Sequence, residues 1–237
     1  MSIQDRVAVI TGATGGLGRT VVRRLAGDGA RLALLSASAD KLAELARQLN
    51  LPEEQYIALA KNLTDPGAVH EAAQTVHARF GRADLLLHLV GGWLGGQPVT
   101  QVEPGQVAKM LDQHLWTTLY LTQAFVPGMI AQQWGRVMII SSPTASRPAA
   151  RRAPYAVGKA AEEALVLTLA EELKDTGVTA NAIVVSTIDV KHEREQARAP
   201  GMPAWTTPEE IASMIVYLSS DEARTVNGAR IPMYGSS

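Results

Sequence analysis

The sequence contains no cysteine among its 237 residues. This absence excludes disulfides, thiolate metal sites and a cysteine nucleophile, and it is consistent with a reducing compartment such as the cytoplasm. No group of histidines and acidic residues has the spacing of metal ligands, so we expect no metal site.

Long apolar runs and an excess of one charge are also missing. No stretch approaches the ~18 uninterrupted apolar residues of a membrane-spanning helix, and the first residues lack the basic start and apolar core of a signal peptide. The formal net charge is −1, which argues against nucleic acid or an anionic membrane surface as the main partner. We therefore expect a cytoplasmic protein that acts on a small molecule.

Short apolar runs alternate with longer helical patterns along the whole chain. No linker, repeat or low-complexity segment divides it, so we expect one domain over residues 1–237. The predicted strands are Val7–Ile10, Arg31–Leu35, Tyr56–Ala60, Leu85–Leu89, Arg136–Ile140, Thr179–Val185 and Arg230–Met233. The predicted helices are Leu17–Gly27, Ala39–Leu49, Pro66–Phe80, Pro104–Gln132, Ala153–Asp175 and Pro208–Ser219. This alternation predicts an α/β fold with an open, doubly wound parallel sheet of seven strands and helices on both faces.

A glycine-rich segment joins the first predicted strand to the first predicted helix. It reads TGATGGLG from Thr11 to Gly18. Glycines at such a junction let the backbone turn tightly and approach a pyrophosphate, while the helix N-terminus presents free N–H groups. The alternative is an ordinary glycine-rich turn; the position in a βαβ series favours dinucleotide binding. The residues predicted to contact the cofactor here are Gly12, Thr14, Gly15, Gly16, Leu17 and Gly18.

Three side chains suited to acid–base chemistry follow the fifth predicted strand. Tyr155 and Lys159 are four residues apart, on one face of a predicted helix, and Ser142 precedes Tyr155 by thirteen residues. A neighbouring ammonium favours the phenolate, so such a pair can exchange a proton with an alcohol–carbonyl couple. The alternatives are a tyrosine packed between helices, a surface lysine and a loop serine.

These two motifs, with TPEEIA at Thr207–Ala212 and YLSSD at Tyr217–Asp221, resemble the classical short-chain dehydrogenase/reductase family. The resemblance covers almost the whole chain. It implies a Rossmann-like sheet, an NAD(P)-dependent oxidoreductase that moves hydride between the nicotinamide and a carbonyl or alcohol, and a homodimer or homotetramer. By the same resemblance Tyr155 exchanges a proton with the substrate oxygen, and Ser142 hydrogen-bonds that oxygen. Lys159 favours the phenolate form of Tyr155 and holds the nicotinamide ribose hydroxyls. Further cofactor contacts implied by it are Asn62, Leu63, Val90, Gly91 and the backbone N–H of Ile188.

Several positions depart from the family pattern. His88 replaces an asparagine at the end of the fourth strand, where it is expected to bond the neighbouring strand or to be a satisfied core histidine rather than a catalytic one. His114 stands where the family has its catalytic asparagine, so it is either a proton relay for Lys159 or a filler. The Pro-Gly turn expected after the sixth strand is missing between Val185 and Val190.

The end of the second predicted strand decides between NAD and NADP. An acid there holds the ribose hydroxyls and repels a 2′-phosphate, whereas this chain has Ser36 and Ala37. Ser36 and Ser38 can donate to a phosphate, and Arg19 or Lys41 can lend charge. These residues favour NADP over NAD.

The stretch from Val90 to Gly96 also resembles dihydropteridine reductases, and Trp93 within it offers an aromatic wall to a flat substrate. A dihydropteridine-reductase-like enzyme is therefore one alternative. A second, from another class, is a non-catalytic dinucleotide-binding sensor or scaffold, which the departures at His88, His114 and Val185-Ser186 favour. The segment Lys191–Trp205 is predicted to form a short substrate lid.

Overall fold

The computed structural model describes residues 3–193 and 205–234. The strands of this part of the chain are β1 (Val7–Thr11), β2 (Arg31–Ser36), β3 (Tyr56–Ala60), β4 (Leu85–His88), β5 (Gly135–Ser141), β6 (Val178–Val184), β7 (Thr187–Ile188), β8 (Trp205–Thr206) and β9 (Arg230–Pro232). The helices are α1 (Gly16–Gly27), α2 (Ala39–Leu49), α3 (Pro66–Phe80), α4 (Pro104–Leu111), α5 (Thr117–Ala131), α6 (Ala153–Glu172) and α7 (Pro208–Leu218). A π turn (Asp112–Trp116) separates α4 from α5, and short 3₁₀ turns lie at Val99–Gln101 and Pro143–Ala145.

Seven parallel strands form the central sheet, in the order β3-β2-β1-β4-β5-β6-β9. The predicted doubly wound sheet is thereby confirmed, with strand ends within one or two residues of the predicted ones. Strand order reverses between β1 and β4, and ligands of such sheets bind in the crevice at the carboxyl ends of the strands beside this reversal. The short β7–β8 pair, which the sequence did not predict, forms a separate two-stranded sheet after β6.

Both faces of the sheet are covered by helices, which explains why most of the strands are continuous apolar runs. One apolar cluster joins the sheet to α1, α2 and α7, and another joins it to α3, α5 and α6. In α1 the spacing of Leu17, Val21 and Leu25 puts one apolar stripe against the sheet, where all three are buried. This packing fixes the glycine-rich junction that precedes α1.

The predicted helix starts at Pro66 and Pro208 are confirmed by their capping bonds. The Asp65 carboxylate accepts from the Gly67 N–H at 2.9 Å. The Thr207 hydroxyl accepts from the Glu210 N–H at 3.3 Å, while the Glu210 carboxylate accepts from the Thr207 N–H at 2.8 Å. Such reciprocal bonds satisfy N–H groups that have no partner inside the helix.

One prediction about the helices is corrected. The expected continuous helix Pro104–Gln132 is interrupted by the π turn, whose extra residue per turn shifts the helical phase and buries His114. Most of the predicted lid, Lys191–Trp205, lies outside the described residues. Within the described part of the chain, no helix is long and apolar enough to cross a membrane.

Candidate active site

A cavity of about 370 Å³ lies at the carboxyl ends of the central strands, beside the reversal of strand order. The residues predicted for the site that line it are Leu17, Val90, Gly91, Trp93, His114, Tyr155, Lys159 and Ile188. The structure thus brings the start of α1, the segment after β4, and α6 around one space. A larger groove of about 630 Å³ runs between α3 and α5, and none of the predicted residues lines it.

The glycine-rich segment lies directly against the end of β4. Gly12 has φ +67°, and a Cβ atom there would come within 3.1 Å of the Leu89 and Val90 backbone. A Cβ on Gly18 would lie 2.1 Å from the Gly12 carbonyl oxygen. Glycine is therefore required at both positions, because any side chain would push the segment off the strand or break the first turn of α1.

The N-terminus of α1 can bind an anion. Gly15 precedes it without a side chain that caps the helix, and the first turn contains no acidic residue. The first turn of α1 therefore has N–H groups without partners inside the helix and the positive end of the helix dipole, and Leu17 of this turn lines the cavity. This arrangement fits the pyrophosphate of a dinucleotide.

The end of β2 is brought next to the glycine-rich segment. The hydroxyls of Ser36 and Thr14 are 2.8 Å apart, and the Arg19 guanidinium donates to the Thr14 carbonyl oxygen at 3.0 Å. Ala37 follows and is exposed. A positive charge accordingly lies near the place where the second ribose of a dinucleotide is bound in such folds.

The predicted adenine contacts after β3 differ from each other. The Asn62 side chain is exposed and accepts bonds from the N–H and hydroxyl of Thr64, at 3.2 and 2.9 Å. Leu63 is buried and packs in the apolar core. The Asn62 side chain therefore shapes the turn before α3, and its contact with a cofactor stays a prediction.

Tyr155 and Lys159 lie in the first part of α6, and both line the cavity. The Tyr155 ring meets the His114 ring edge-on, with centroids 5.8 Å apart. The buried Lys159 ammonium donates to the Ile140 carbonyl oxygen at 2.7 Å and to the Glu162 carboxylate at 2.6 Å. A phenol and an ammonium thus share one wall of the cavity, as acid–base chemistry requires.

Ser142 is buried beside this wall and is not among the residues that line the cavity. Its hydroxyl oxygen accepts from the Thr144 N–H at 3.2 Å and caps the turn Pro143–Ala145. The preceding residue, Ser141, does line the cavity, and its buried hydroxyl has no hydrogen-bond partner in the described part of the chain. The contact of Ser142 with substrate stays a prediction.

His88 bonds the neighbouring strand, as the sequence predicted. Thr117 donates its one hydroxyl hydrogen to the Gln113 carbonyl oxygen, so it accepts from His88 Nε2–H at 3.1 Å. His88 Nδ1 then accepts from the Thr11 hydroxyl at 2.7 Å. Burial, together with the Lys159 charge, lowers the pKa of His88 to about 3. The ring is therefore a neutral structural link between β1, β4 and the start of α5.

His114 lies between Tyr155 and the segment after β4. Its Nε2–H donates to the Gly92 carbonyl oxygen at 3.2 Å, while the buried Nδ1 has no hydrogen-bond partner in the described chain. Burial and the Lys159 charge lower the pKa of His114 to about 3. The ring that faces Tyr155 is consequently neutral at physiological pH.

These features correspond to a match with a known family. The family model described as "short chain dehydrogenase" matches residues 6–201. The chain belongs to the short-chain dehydrogenase family. It is accordingly an NAD(P)-dependent oxidoreductase.

Curated relatives agree with this assignment. The short-chain dehydrogenase is 32% identical to the (2S)-[(R)-hydroxy(phenyl)methyl]succinyl-CoA dehydrogenase subunit BbsC of Thauera aromatica, covering 97% of this chain and 93% of that one. It is 28% identical to the 2,3-dihydroxy-2,3-dihydro-p-cumate dehydrogenase of Pseudomonas putida, with 100% and 96% covered. It is 26% identical to the 3-oxoacyl-[acyl-carrier-protein] reductase FabG of Salmonella typhimurium, with 99% and 98% covered.

Solved structures share the fold. A short-chain dehydrogenase from Bacillus anthracis superposes with a TM-score of 0.88 at 26% identity, covering 98% of this chain and 96% of that one. A structure described as NAD⁺-bound xylitol dehydrogenase superposes with a TM-score of 0.88 at 21% identity and full coverage of both chains. The fold of this chain is therefore shared with solved structures over nearly its whole length.

The residue that sequence reasoning missed in this short-chain dehydrogenase is Glu162. It is fully buried, three residues after Lys159 on the same helix, and burial raises the pKa of its carboxyl. The i,i+3 spacing to a predicted catalytic lysine was the signal that could have revealed it. Within the described residues no group of three histidine or acidic side chains could hold a metal ion.

Proposed function

We propose that this short-chain dehydrogenase moves hydride between NADP and a carbonyl or alcohol substrate, with Tyr155 as general acid and base. The observation that carries the proposal is that Tyr155 and Lys159 share one cavity with Leu17 at the start of α1 and with the segment after β4. The nicotinamide supplies or accepts the hydride; the protein aligns the reacting groups and moves the proton.

The residues have distinct parts in this proposal. In reduction, the Tyr155 hydroxyl donates its proton to the substrate oxygen as the carbonyl becomes an alcohol. The Lys159 ammonium stabilises the phenolate that is left. Ser142, whose oxygen already accepts from the Thr144 N–H, retains its own hydroxyl hydrogen for the substrate oxygen.

We also propose that His114 takes the place of the family's catalytic asparagine. Its edge-on contact with Tyr155 and its bond to the Gly92 carbonyl oxygen hold the phenol against the segment after β4. Because the pKa of His114 is lowered to about 3, a part in proton relay would use the neutral ring.

The proposed preference for NADP leads to a mutational prediction at the end of β2. Ser36→Asp is expected to change the ratio of kcat/KM for NADPH over NADH by about tenfold or more in favour of NADH. The new carboxylate would repel the 2′-phosphate and accept from the ribose hydroxyls, at a position where Arg19 and Thr14 now lie alongside.

Thr75→Asp is the matched control for this change. It adds the same charge at an exposed position of α3 that is not among the predicted cofactor contacts, so it should leave the ratio unchanged. Steady-state rates with both nucleotides measure the effect. An unchanged ratio in Ser36→Asp would contradict the proposed position of the adenosine ribose.

A second candidate substrate class is a flat ring such as a dihydropterin, because Trp93 lines the cavity with 57% of its surface exposed. Two relatives are named for substrates that contain a six-membered carbon ring. The substrate panel should therefore include cyclic and aryl carbonyls and a quinonoid dihydropterin.

The test of the function has two stages. NADPH and NADH binding are measured by titration calorimetry. The carbonyl compounds of the panel are then screened for oxidation of NAD(P)H, and the corresponding alcohols for reduction of NAD(P)⁺. Turnover of a carbonyl or alcohol supports the proposed enzyme. Nucleotide binding without turnover of any compound would favour the non-catalytic sensor or scaffold instead; one relative is itself named as a subunit.

We further propose a homodimer or homotetramer in the cytoplasm. Trp116 and Val157, near α5 and on α6, expose apolar side chains that a second copy would cover.

A further inference from the structure

A cluster of polar side chains lies buried directly beneath the cavity, within an otherwise apolar face of the sheet. At its centre is the Glu162 carboxylate, which has no exposed surface. Lys159 Nζ lies 2.6 Å from it and the Thr118 hydroxyl 3.2 Å. His114 Nδ1 and His88 Nε2 lie 3.8 and 4.0 Å away. A buried carboxylate is retained at such a cost only when its partners compensate it.

The bonds of Lys159 define the direction of its ammonium group. An ammonium has three N–H donors. One donates to the Ile140 carbonyl oxygen and one to Glu162, which leaves one donor for the cavity that Lys159 lines together with Tyr155. Two fixed bonds orient the third donor, because a tetrahedral nitrogen cannot redirect it without losing one of them.

We propose that Glu162 is the positioning residue of Lys159: its carboxylate holds the ammonium at the cavity wall and balances its charge inside the protein. This inference rests on the proposed catalytic part of Lys159. Glu162 touches neither substrate nor cofactor, so it acts through Lys159 alone.

The proposal makes the activity depend on the charge of Glu162. The ionisable groups that face it are Lys159 and Glu163 on α6, His114 on the π turn and His88 on β4, while Thr118 on α5 offers a neutral hydroxyl. Both histidines have a pKa lowered to about 3, so they stay neutral until the pH falls to that value. The Glu163 carboxylate is paired with Arg230 of β9 at 2.6 Å. Burial raises the pKa of the Glu162 carboxyl, so Glu162 takes up a proton beside Lys159 as the pH falls.

The catalytic test compares Glu162→Gln with the wild type in carbonyl reduction. Glutamine keeps a similar shape and can accept from Lys159, but it carries no charge and cannot be protonated. We expect kcat to fall by about 10- to 100-fold, with a smaller change in the substrate KM, because a neutral partner holds the buried ammonium less firmly and the loss falls on rate rather than binding. Over the pH range in which both proteins stay folded, kcat of the wild type should decline towards acid pH as Glu162 takes a proton, and this decline should be missing in Glu162→Gln.

Glu163→Gln is the matched control. It removes the neighbouring carboxylate from the same helix, yet that carboxylate pairs with Arg230 and not with Lys159. It should keep the wild-type kcat and the acid decline. The proposal is overturned if Glu162→Gln retains the acid decline, or if its kcat stays within about twofold of the wild type.

A measurement that needs no turnover covers the case in which Glu162→Gln folds poorly. The denaturant midpoint is determined for Lys159→Met, Glu162→Leu and the double variant. Each single change leaves a buried partner uncompensated, so each should lower the midpoint, and the double variant should regain most of the loss. A double variant whose loss equals the sum of the two singles would overturn the pairing. If the wild type turns over no substrate, the proposed function fails while this cycle still tests the pair.

Discussion

Tyr155→Phe is expected to lower kcat/KM for carbonyl reduction by about 10²- to 10⁴-fold, the usual range for removal of a general acid. Phenylalanine retains the ring that meets His114 edge-on, with centroids 5.8 Å apart, and removes only the proton donor. The fold and the glycine-rich segment are untouched, so NADPH binding should stay within about threefold of the wild type. The loss should therefore fall on kcat more than on cofactor affinity.

Steady-state kinetics at saturating NADPH measure this loss, and calorimetric titration measures cofactor binding. Tyr217→Phe is the control, because Tyr217 lies on α7 with its side chain partly exposed and does not line the cavity. It should leave both quantities unchanged. Undiminished turnover in Tyr155→Phe would rule out the proposed proton transfer.

The second large effect is on stability at acid pH. The unfolded chain binds protons at His88 and His114 with a pKa near 6.5, whereas the folded chain does so only near 3. Between these values the unfolded state holds more protons, so the free energy of unfolding rises with pH and is lost as pH falls. Between pH 7 and pH 5 each histidine should lower the free energy of unfolding by about 2 kcal/mol, and the pair by about 4 kcal/mol. Glu162 acts in the opposite sense, because burial raises the pKa of its carboxyl.

Single variants separate these contributions. His88→Asn can still bond Thr11 or Thr117 and cannot take up the proton, so its free energy of unfolding should fall about 2 kcal/mol less than that of the wild type between pH 7 and pH 5. His70→Asn, a change at an exposed histidine on α3, should follow the wild type. Urea unfolding at several pH values gives both numbers. A His88→Asn curve parallel to that of the wild type would show that His88 does not cause the acid sensitivity.

The sheet was predictable from the sequence because burial on both faces leaves a simple pattern. β5 was expected at 136–140 and is found at Gly135–Ser141, and the cap before Pro208 marked the start of α7. The π turn Asp112–Trp116 was not predictable, since it depends on packing that a period of 3.6 residues does not encode. The β7–β8 pair was missed because two-residue strands carry no periodicity.

The candidate site was predictable only where chemistry is tied to spacing. Glycines and a Tyr-x-x-x-Lys pair can be recognised because the turn and the helix face require them. Glu162 was missed because an acid in a helix is usually a solvated residue, and only the packing of α6 against α4, the π turn and the sheet turns it inward. The partner of the Ser142 hydroxyl likewise depends on the 3₁₀ turn that follows it.

The close contact of Gly12 with the backbone of Leu89 and Val90 bears on the stability of the folded chain. These partners are more than seventy residues apart in sequence, so the contact exists only when β4 is paired with β1. A dinucleotide that needs this contact would bind the folded chain and not the unfolded one. Its binding would therefore raise the free energy of unfolding in proportion to the logarithm of its concentration above Kd.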